Sequence, residues 1–346
     1  MAVLERWLTR MWYGRGGGWL APLASLYGGA SALRERAYAS GWLKSVRVGR
    51  PVIVVGNLTV GGTGKTPLVA WIAERLHASG IKVGIVMRGY GRNAAAVRAV
   101  TSDVDWREVG DEAVLLHRRT GCAVIVGADR VGAAEAAIAG GAQVIVSDDG
   151  LQHLQLVRDC EIIVIDGERG FGNGRLLPAG PLRERTAHLA RADALVSNGP
   201  PGPALAAETK RGRDQPLLTM RLMLEAARPV ARDGATRALE EFRGQRVHAV
   251  AGIGNPARFF RALAAQGIEL IERAFPDHHP FRPDELAFDD GLPILMTEKD
   301  AVRCSAWATP FMWYVPVSAQ LGPADEVALL GSIKRRTGYD AAAATR

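Results

Sequence analysis

The stretch from Gly56 to Pro67, Gly-Asn-Leu-Thr-Val-Gly-Gly-Thr-Gly-Lys-Thr-Pro, holds the residue types that a phosphate cradle needs. Gly61, Gly62 and Gly64, with Thr63 among them, let successive backbone N–H groups turn inward around phosphate oxygens. A helix opening behind the loop adds its positive dipole end. Lys65 would reach the β- and γ-phosphates, and the Thr66 hydroxyl would hold Mg²⁺. The strict spacing of such loops wants glycine at position 59, where Thr59 stands, so the loop is a variant built on Gly-Gly-x-Gly-Lys-Thr. A plain glycine turn gives no reason for Lys-Thr at a helix start, and the pattern implies nucleotide binding.

A second group of residues belongs to the same chemistry. Asp148 and Asp149 end the apolar run Val144-Ile145-Val146, where a Mg²⁺ partner belongs; strand-end solubilising residues are the alternative. Arg88, Tyr90 and Arg92 sit in a glycine-rich loop after another apolar run and would face phosphate or substrate. Asp111 opens a helical pattern, and Arg130 follows Gly127-Ala128-Asp129. Taken singly, Asp111 also suits a helix cap and the arginines also suit the surface.

These residues need a scaffold that brings strand ends together. Short apolar runs at Val52–Val55, Val83–Met87, Ala123–Val126, Val144–Val146, Glu161–Ile165 and Ala194–Ser197 read as buried parallel strands. Helical patterns near 111–120 and 129–139 and a helix opening at Pro67 lie between them. Alternating strand and helix means a mostly parallel sheet with flanking helices, an α/β fold of P-loop kinase type. Residues 199–216 read as a loop. A smaller α/β unit begins near Val247 with a strand, a turn at Gly252–Pro256 and a helix to about Gln266. The expected organisation is a helical segment over 1–45, a nucleotide-binding domain over 46–230, a smaller domain closing the cleft over 231–335, and a tail over 336–346.

Composition bounds the rest. With 48% apolar and 23% charged residues, the 346-residue chain can bury a core, which excludes a disordered protein. Three scattered cysteines form neither a disulfide framework nor a metal site, and they imply a reducing compartment. The basic excess is local: within residues 1–50, eight Lys or Arg stand against two Glu, which accounts for nearly all of the +7. Leu4, Trp7, Leu8, Met11 and Trp12 share one helical face, and an uncharged stretch with Trp19, Leu23 and Leu26 follows. Pro22 and five glycines argue against a transmembrane span, and the glycine break argues against a signal peptide. A helix pair lying in a membrane interface fits best, with packing on the protein's own core as the alternative.

Three classes share such a loop. A GTPase needs a guanine-reading Asn/Thr-Lys-x-Asp, and Thr297-Glu298-Lys299-Asp300 has the wrong spacing. A switch ATPase driving a protein or membrane partner carries a lysine before the Gly-Gly pair, where Val60 stands here. A small-molecule or lipid kinase needs an acceptor site, a base and cations, for which candidates abound.

Together the motifs resemble those of the tetraacyldisaccharide 4′-kinase family, from about residue 10 to residue 317. The blocks are Leu26-Tyr27, Gly56 to Pro67, Arg88 to Arg92, Gly110-Asp111-Glu112, Asp148 to His153, Arg169 to Gly174, Leu177 to Glu184, Gly252 to Phe260, Phe275 to His279 and Met296 to Asp300. Leu151 stands where the family more often has Phe. The resemblance implies ATP- and Mg²⁺-dependent phosphorylation of the 4′-hydroxyl of tetraacyldisaccharide 1-phosphate, giving lipid IVA in lipid A biosynthesis. It implies a peripheral enzyme at the cytoplasmic face of a Gram-negative inner membrane, which agrees with the basic, Trp-rich N-terminus. The preference for ATP over GTP comes from the resemblance alone. No nucleic-acid partner is expected, and no protein partner can be named.

The resemblance also assigns roles. Asp111 and His278 fall on a carboxylate–imidazole pair that activates the acceptor hydroxyl, with His279 as the competing imidazole. Arg88, Arg130 and Arg183 would neutralise the γ-phosphate or hold the substrate phosphate. Glu184, Asp148 and Asp149 would complete the Mg²⁺ shell, and Gln152 would line the same site. Gly170 to Pro181 would form an active-site loop.

Overall fold

The computed structural model describes residues 2–14, 16–89, 96–210, 217–231 and 234–340. The first half of the chain runs α1 (Ala2–Tyr13), α2 (Ala21–Ala39), β1 (Val52–Gly56), α3 (Lys65–Ala78), β2 (Val83–Met87), β3 (Arg98–Ala99), α4 (Trp106–Val109), α5 (Asp111–Thr120), β4 (Ala123–Val126), α6 (Arg130–Ala139), β5 (Val144–Asp148), β6 (Cys160–Asp166) and β7 (Ala194–Asn198). It continues with α7 (Pro203–Lys210), β8 (Leu217–Leu224), β9 (Arg228–Pro229), β10 (Arg246–Ala251), α8 (Pro256–Ala264), β11 (Glu269–Ala274), β12 (Ile294–Thr297), α9 (Glu298–Cys304), β13 (Met312–Val315), β14 (Val317–Leu321) and α10 (Pro323–Thr337).

Nine strands form one sheet in the order β14-β8-β7-β6-β1-β5-β2-β4-β3. Its seven inner strands are parallel, and only the edge strands β14 and β3 run antiparallel. β1 is buried along its length because helices cover both faces. Leu68, Ile72 and Leu76 of α3, Leu116 of α5 and Leu329 of α10 fill one face. Ala133, Ala134 and Ala137 of α6 pack on the other. The chain visits β2, β4 and β5 on one side of β1 before β6 starts the other side. The carboxyl end of β1 is therefore a switch point, where α/β sheets open a crevice.

The second sheet has the order β11-β10-β12-β13-β9. Sheet membership departs from the expected division at 231–335: β14 and α10 return to the large sheet, where β14 pairs with β8. A strand with one exposed face at a sheet edge carries little apolar signal, so the sequence reading missed the return. The expected loop over 199–216 is also corrected, because α7 occupies Pro203–Lys210. Its Ala-Leu-Ala-Ala-Glu core favours helix over the flanking Pro and Gly, and Leu205 is buried. Residues 341–346 of the expected tail lie outside the described residues.

The N-terminal helices divide their apolar surface. Met11, Trp12, Leu20 and Ala24 bury themselves against Ala179. Trp12 donates its indole N–H to the Pro178 carbonyl at 2.9 Å. Trp7, Trp19, Leu23, Leu26, Leu33 and Trp42 face outward, with Trp19 70% and Trp42 87% exposed.

Candidate active site

The glycine-rich loop joins β1 to α3, so its amides and the start of α3 lie at the switch point. Gly64 has φ +93°, and a Cβ there would come within 2.6 Å of Asn198 Nδ2. Only glycine satisfies both demands. Asn198, at the end of β7, donates to the Thr63 carbonyl at 3.0 Å and holds the loop. The departure at Thr59 has a structural reason: the residue is buried and forms an antiparallel bridge with Leu182, a role that needs no glycine.

Charged groups converge behind the loop. Lys65 Nζ donates to Asn57 Oδ1 at 3.1 Å and lies 3.4 Å from Asp149. The Thr66 hydroxyl donates to Asp148 Oδ2 at 3.1 Å. Asp148 is buried, and its other oxygen has no hydrogen-bond partner. Burial, reinforced by the nearby Glu112 charge, pushes the Asp148 carboxyl up to about 7 against the pull of Lys65. Asp149 behaves oppositely. Burial alone would raise it, but Lys65 and Arg183 outweigh burial and hold it far below the usual carboxylate range. Arg183 grips Asp149 with both terminal nitrogens, at 3.1 and 2.9 Å, and also reaches the Asn57 side chain.

Thr66 and Asp148 therefore come together as hard oxygen donors, and the orphaned Asp148 oxygen fits a cation. Asp149 and Glu184 are engaged elsewhere. Glu184 accepts from Gln152 Nε2 at 2.8 Å and meets His188 Nδ1 at 2.7 Å. Among the described residues no three His, Cys, Asp or Glu side chains gather into a metal-binding group. A divalent cation here would take Thr66 and Asp148 from the protein and further oxygens from a phosphate, the usual arrangement for Mg²⁺.

Arg130 begins α6, is buried, and donates to the Gly127 carbonyl. Burial brings its guanidinium down to about 10, with the Asp148 and Asp149 charges opposing. Arg88 is exposed at the end of β2. Tyr90 and Arg92 lie outside the described residues.

Asp111 and His278 meet although they belong to different sheets. His278 Nδ1 lies 3.2 Å from Asp111 Oδ2. Asp111 opens α5, and its other oxygen accepts the Glu112 amide at 2.8 Å, so it also serves its helix end. His278 follows β11 in a loop and takes a left-handed backbone, φ +58°. His279 turns away to Glu285, at 3.0 Å, and packs tilted against Phe275 and edge-on to Phe281.

Several residues around this pair escaped the sequence reading. Arg303 of α9 donates through Nε to Asp111 at 2.6 Å. Lys299, one turn earlier, holds Glu112 at 3.0 Å and Asp277 at 3.2 Å and approaches His278 Nε2 at 3.4 Å. Burial works against its charge, but Glu112, Asp111 and Asp277 raise the Lys299 ammonium above its usual range. Glu112 thus joins the two halves of the site: it holds Lys299 and raises Asp148. Asn57 clamps Lys65 and Arg183. Tyr27 of α2 donates to the Arg183 carbonyl at 3.0 Å, and Arg34 donates to Gln152's carbonyl at 3.1 Å. Tyr27, Asn57, Glu112 and Lys299 lie inside the blocks that carry the resemblance, and Arg303 is signalled only by standing four residues after Lys299 on one helix face.

A phosphate loop at the switch point, a Thr–Asp oxygen pair and an imidazole–carboxylate pair beside them define a P-loop phosphotransferase. The profile of tetraacyldisaccharide-1-P 4′-kinase (LpxK) matches residues 18–334. The chain belongs to that family. It is 50% identical to the tetraacyldisaccharide 4′-kinase of Alkalilimnicola ehrlichii, over 95% of this chain and 97% of the relative. It is 48% identical to that of Stenotrophomonas maltophilia, over 89% and 90%. The solved structure of LpxK from Aquifex aeolicus, an "apo" form in complex with ATP, superposes with a TM-score of 0.76 at 28% identity, covering 93% of this chain and 99% of that one. Among the described residues no helix is long and apolar enough to cross a membrane.

Proposed function

We propose that the protein transfers the γ-phosphate of ATP to the 4′-hydroxyl of tetraacyldisaccharide 1-phosphate, giving lipid IVA. One observation carries the reading: the Asp111–His278 pair joins elements of the two sheets, and Lys299 and Glu112 lead from it towards Asp148, which holds Thr66 at the end of the phosphate loop. A sugar hydroxyl presented to that pair gives its proton to the pair as its oxygen bonds to the γ-phosphorus. The bond to the β–γ bridging oxygen breaks, and its electron pair leaves with ADP. Lys65 and the α3 N-terminus meet the charge of the transferring group. Mg²⁺ held by Thr66 and Asp148 would screen the triphosphate.

The acceptor is amphipathic, and the exposed face of α1 and α2 supports docking on a lipid surface. Outward Trp7, Trp19, Leu26 and Trp42 accompany Arg10, Arg34 and Arg36. The acyl chains then stay in the bilayer while the glucosamine headgroup enters between the sheets. The surface is that of the inner membrane, at its cytoplasmic face, where ATP is supplied.

The test is transfer of label from γ-labelled ATP to tetraacyldisaccharide 1-phosphate in detergent micelles. Label in the lipid, lost in Lys65→Ala, supports the kinase. Label only as free phosphate points to an ATPase that drives a partner.

A further inference from the structure

The pair at the centre of the site is not symmetric. Asp111 is 2% exposed at its side chain, whereas His278 is 22% exposed. Both of the carboxylate's oxygens are engaged. Oδ1 accepts the Glu112 amide, and Oδ2 takes His278 Nδ1 together with Nε and Nη2 of Arg303. Buried as it is, Asp111 offers no open face to an incoming hydroxyl. The part of the pair that a substrate can reach is the imidazole.

Arg303 is itself fully buried and aimed from behind. Its Nη1 donates to Asp300 Oδ1 at 2.9 Å and to the Gly252 carbonyl at 3.1 Å. Asp300 in turn accepts the Gly252 amide at 3.0 Å and the Thr297 hydroxyl at 2.5 Å. The end of β10, the start of α9 and the guanidinium therefore form one rigid unit of the smaller sheet. That unit reaches across to the first residue of α5 on the larger sheet. Two guanidinium nitrogens converge on the single oxygen Oδ2 while the Glu112 amide holds Oδ1, and a flexible ammonium in place of the planar group would not reproduce that pair of contacts.

We propose that Arg303 is a positioning residue for phosphoryl transfer: it fixes the Asp111 carboxylate across the boundary between the sheets, so that Asp111 orients His278 through Nδ1 and leaves Nε2 to receive the hydroxyl proton. The proposal rests on the reading of Asp111–His278 as the hydroxyl-activating pair. In the proton step the sugar O–H bond breaks and an N–H bond forms at His278 Nε2, while Nδ1–H stays with Asp111. Lys299 and Asp277 stand near Nε2, at 3.4 and 3.9 Å, and the step requires Lys299 to remain on Glu112 and Asp277 rather than on the ring. Arg303 has no exposed side-chain surface to offer a substrate. It acts through Asp111.

The experiment is a double-mutant comparison of Arg303→Lys, Asp111→Asn and both together, with transfer to tetraacyldisaccharide 1-phosphate in micelles as the assay. Arg303→Lys keeps the charge and loses the fork. The expected loss is in kcat, at least about tenfold and toward 10²-fold, with KM for ATP within about twofold. In the Asp111→Asn background the same change should cost no more than about twofold further, because the two residues act as one unit. A merely structural role predicts instead a loss that follows thermal stability and multiplies in the double variant. That outcome, or a kcat within twofold of wild type, overturns the proposal. Should Arg303→Lys fail to fold, Asp300→Asn leaves Arg303 in place but removes the carboxylate that aims it, and it is held to the same criteria. The ring-nitrogen NMR signals of His278 give a readout independent of turnover. Wild type should hold the proton on Nδ1, and Arg303→Lys should mix the two tautomers. An unchanged spectrum contradicts the proposal. A wild type that labels no lipid, with a tautomer that does respond to Arg303, would count against the lipid-kinase reading and not against Arg303.

Discussion

His278 Nδ1 lies 3.2 Å from Asp111 Oδ2 across 167 residues of sequence, and the contact joins the loop after β11 to the start of α5. Two sheets with separate cores are tied together at the point where the chemistry is expected.

Asp111→Asn keeps the size of the side chain and an acceptor for His278 but removes the charge. kcat should fall by about 10²–10⁴-fold, with nucleotide affinity nearly unchanged. His278→Asn should fall by a similar factor, and the double variant should be little worse than either single one. Steady-state kinetics of the three variants checks this.

His188 is held between Glu161 and Glu184, each at 2.7 Å. Burial disfavours its charge, yet the two carboxylates raise its pKa from 6.5 to about 9. A raised folded-state value means that the charged form stabilises the fold. That contribution is fully present below about pH 6.5 and is lost as pH climbs through 9. The melting temperature of wild type should therefore drop between pH 6.5 and 9.5 more than that of His188→Gln. Equal drops would show that the clamp carries no stability.

Asp148→Asn should separate stability from function. The buried carboxyl is raised from 3.8 to about 7, so the folded state resists ionising it. The resulting cost to stability grows as pH rises from about 4 to 7. The variant should melt higher than wild type at pH 8 and no higher at pH 4, while transfer activity collapses if Asp148 holds the cation as proposed. Melting curves at the two pH values, with an assay across Mg²⁺ concentrations, test both halves.

Trp19→Ser, Leu26→Ser and Trp42→Ser change exposed side chains only. Together they should weaken binding to anionic vesicles at least tenfold and leave turnover in micelles within about twofold. Point changes are better than removing the helices. Met11, Trp12 and Leu20 pack on the 176–179 loop, and Tyr27 holds Arg183, so truncation would disturb the site itself.

Much of this arrangement was legible from residue types. The apolar runs named six strands of the large sheet because strands buried on both faces cannot alternate. The phosphate loop announced itself through its glycines, of which Gly64 admits no other residue. The choice between His278 and His279 was not legible, since neighbours in sequence differ only in which way the loop turns them. Arg303 was silent for a related reason: a buried arginine in a short helix looks like a surface charge until the fold supplies Asp111 from the other sheet. The two aspartates at the end of β5 were not separable by sequence. Asp148 turns to Thr66, but Asp149 turns to Arg183 through a left-handed backbone, φ +50°, that sequence pattern does not reveal.

The most direct test of the central claim is label transfer from γ-labelled ATP to tetraacyldisaccharide 1-phosphate by wild type, Lys65→Ala and Asp111→Ala. The account predicts labelled lipid from wild type and at least a 10²-fold loss in each variant, with Asp111→Ala still binding ATP. Label released only as inorganic phosphate, or full transfer by Asp111→Ala, would contradict it.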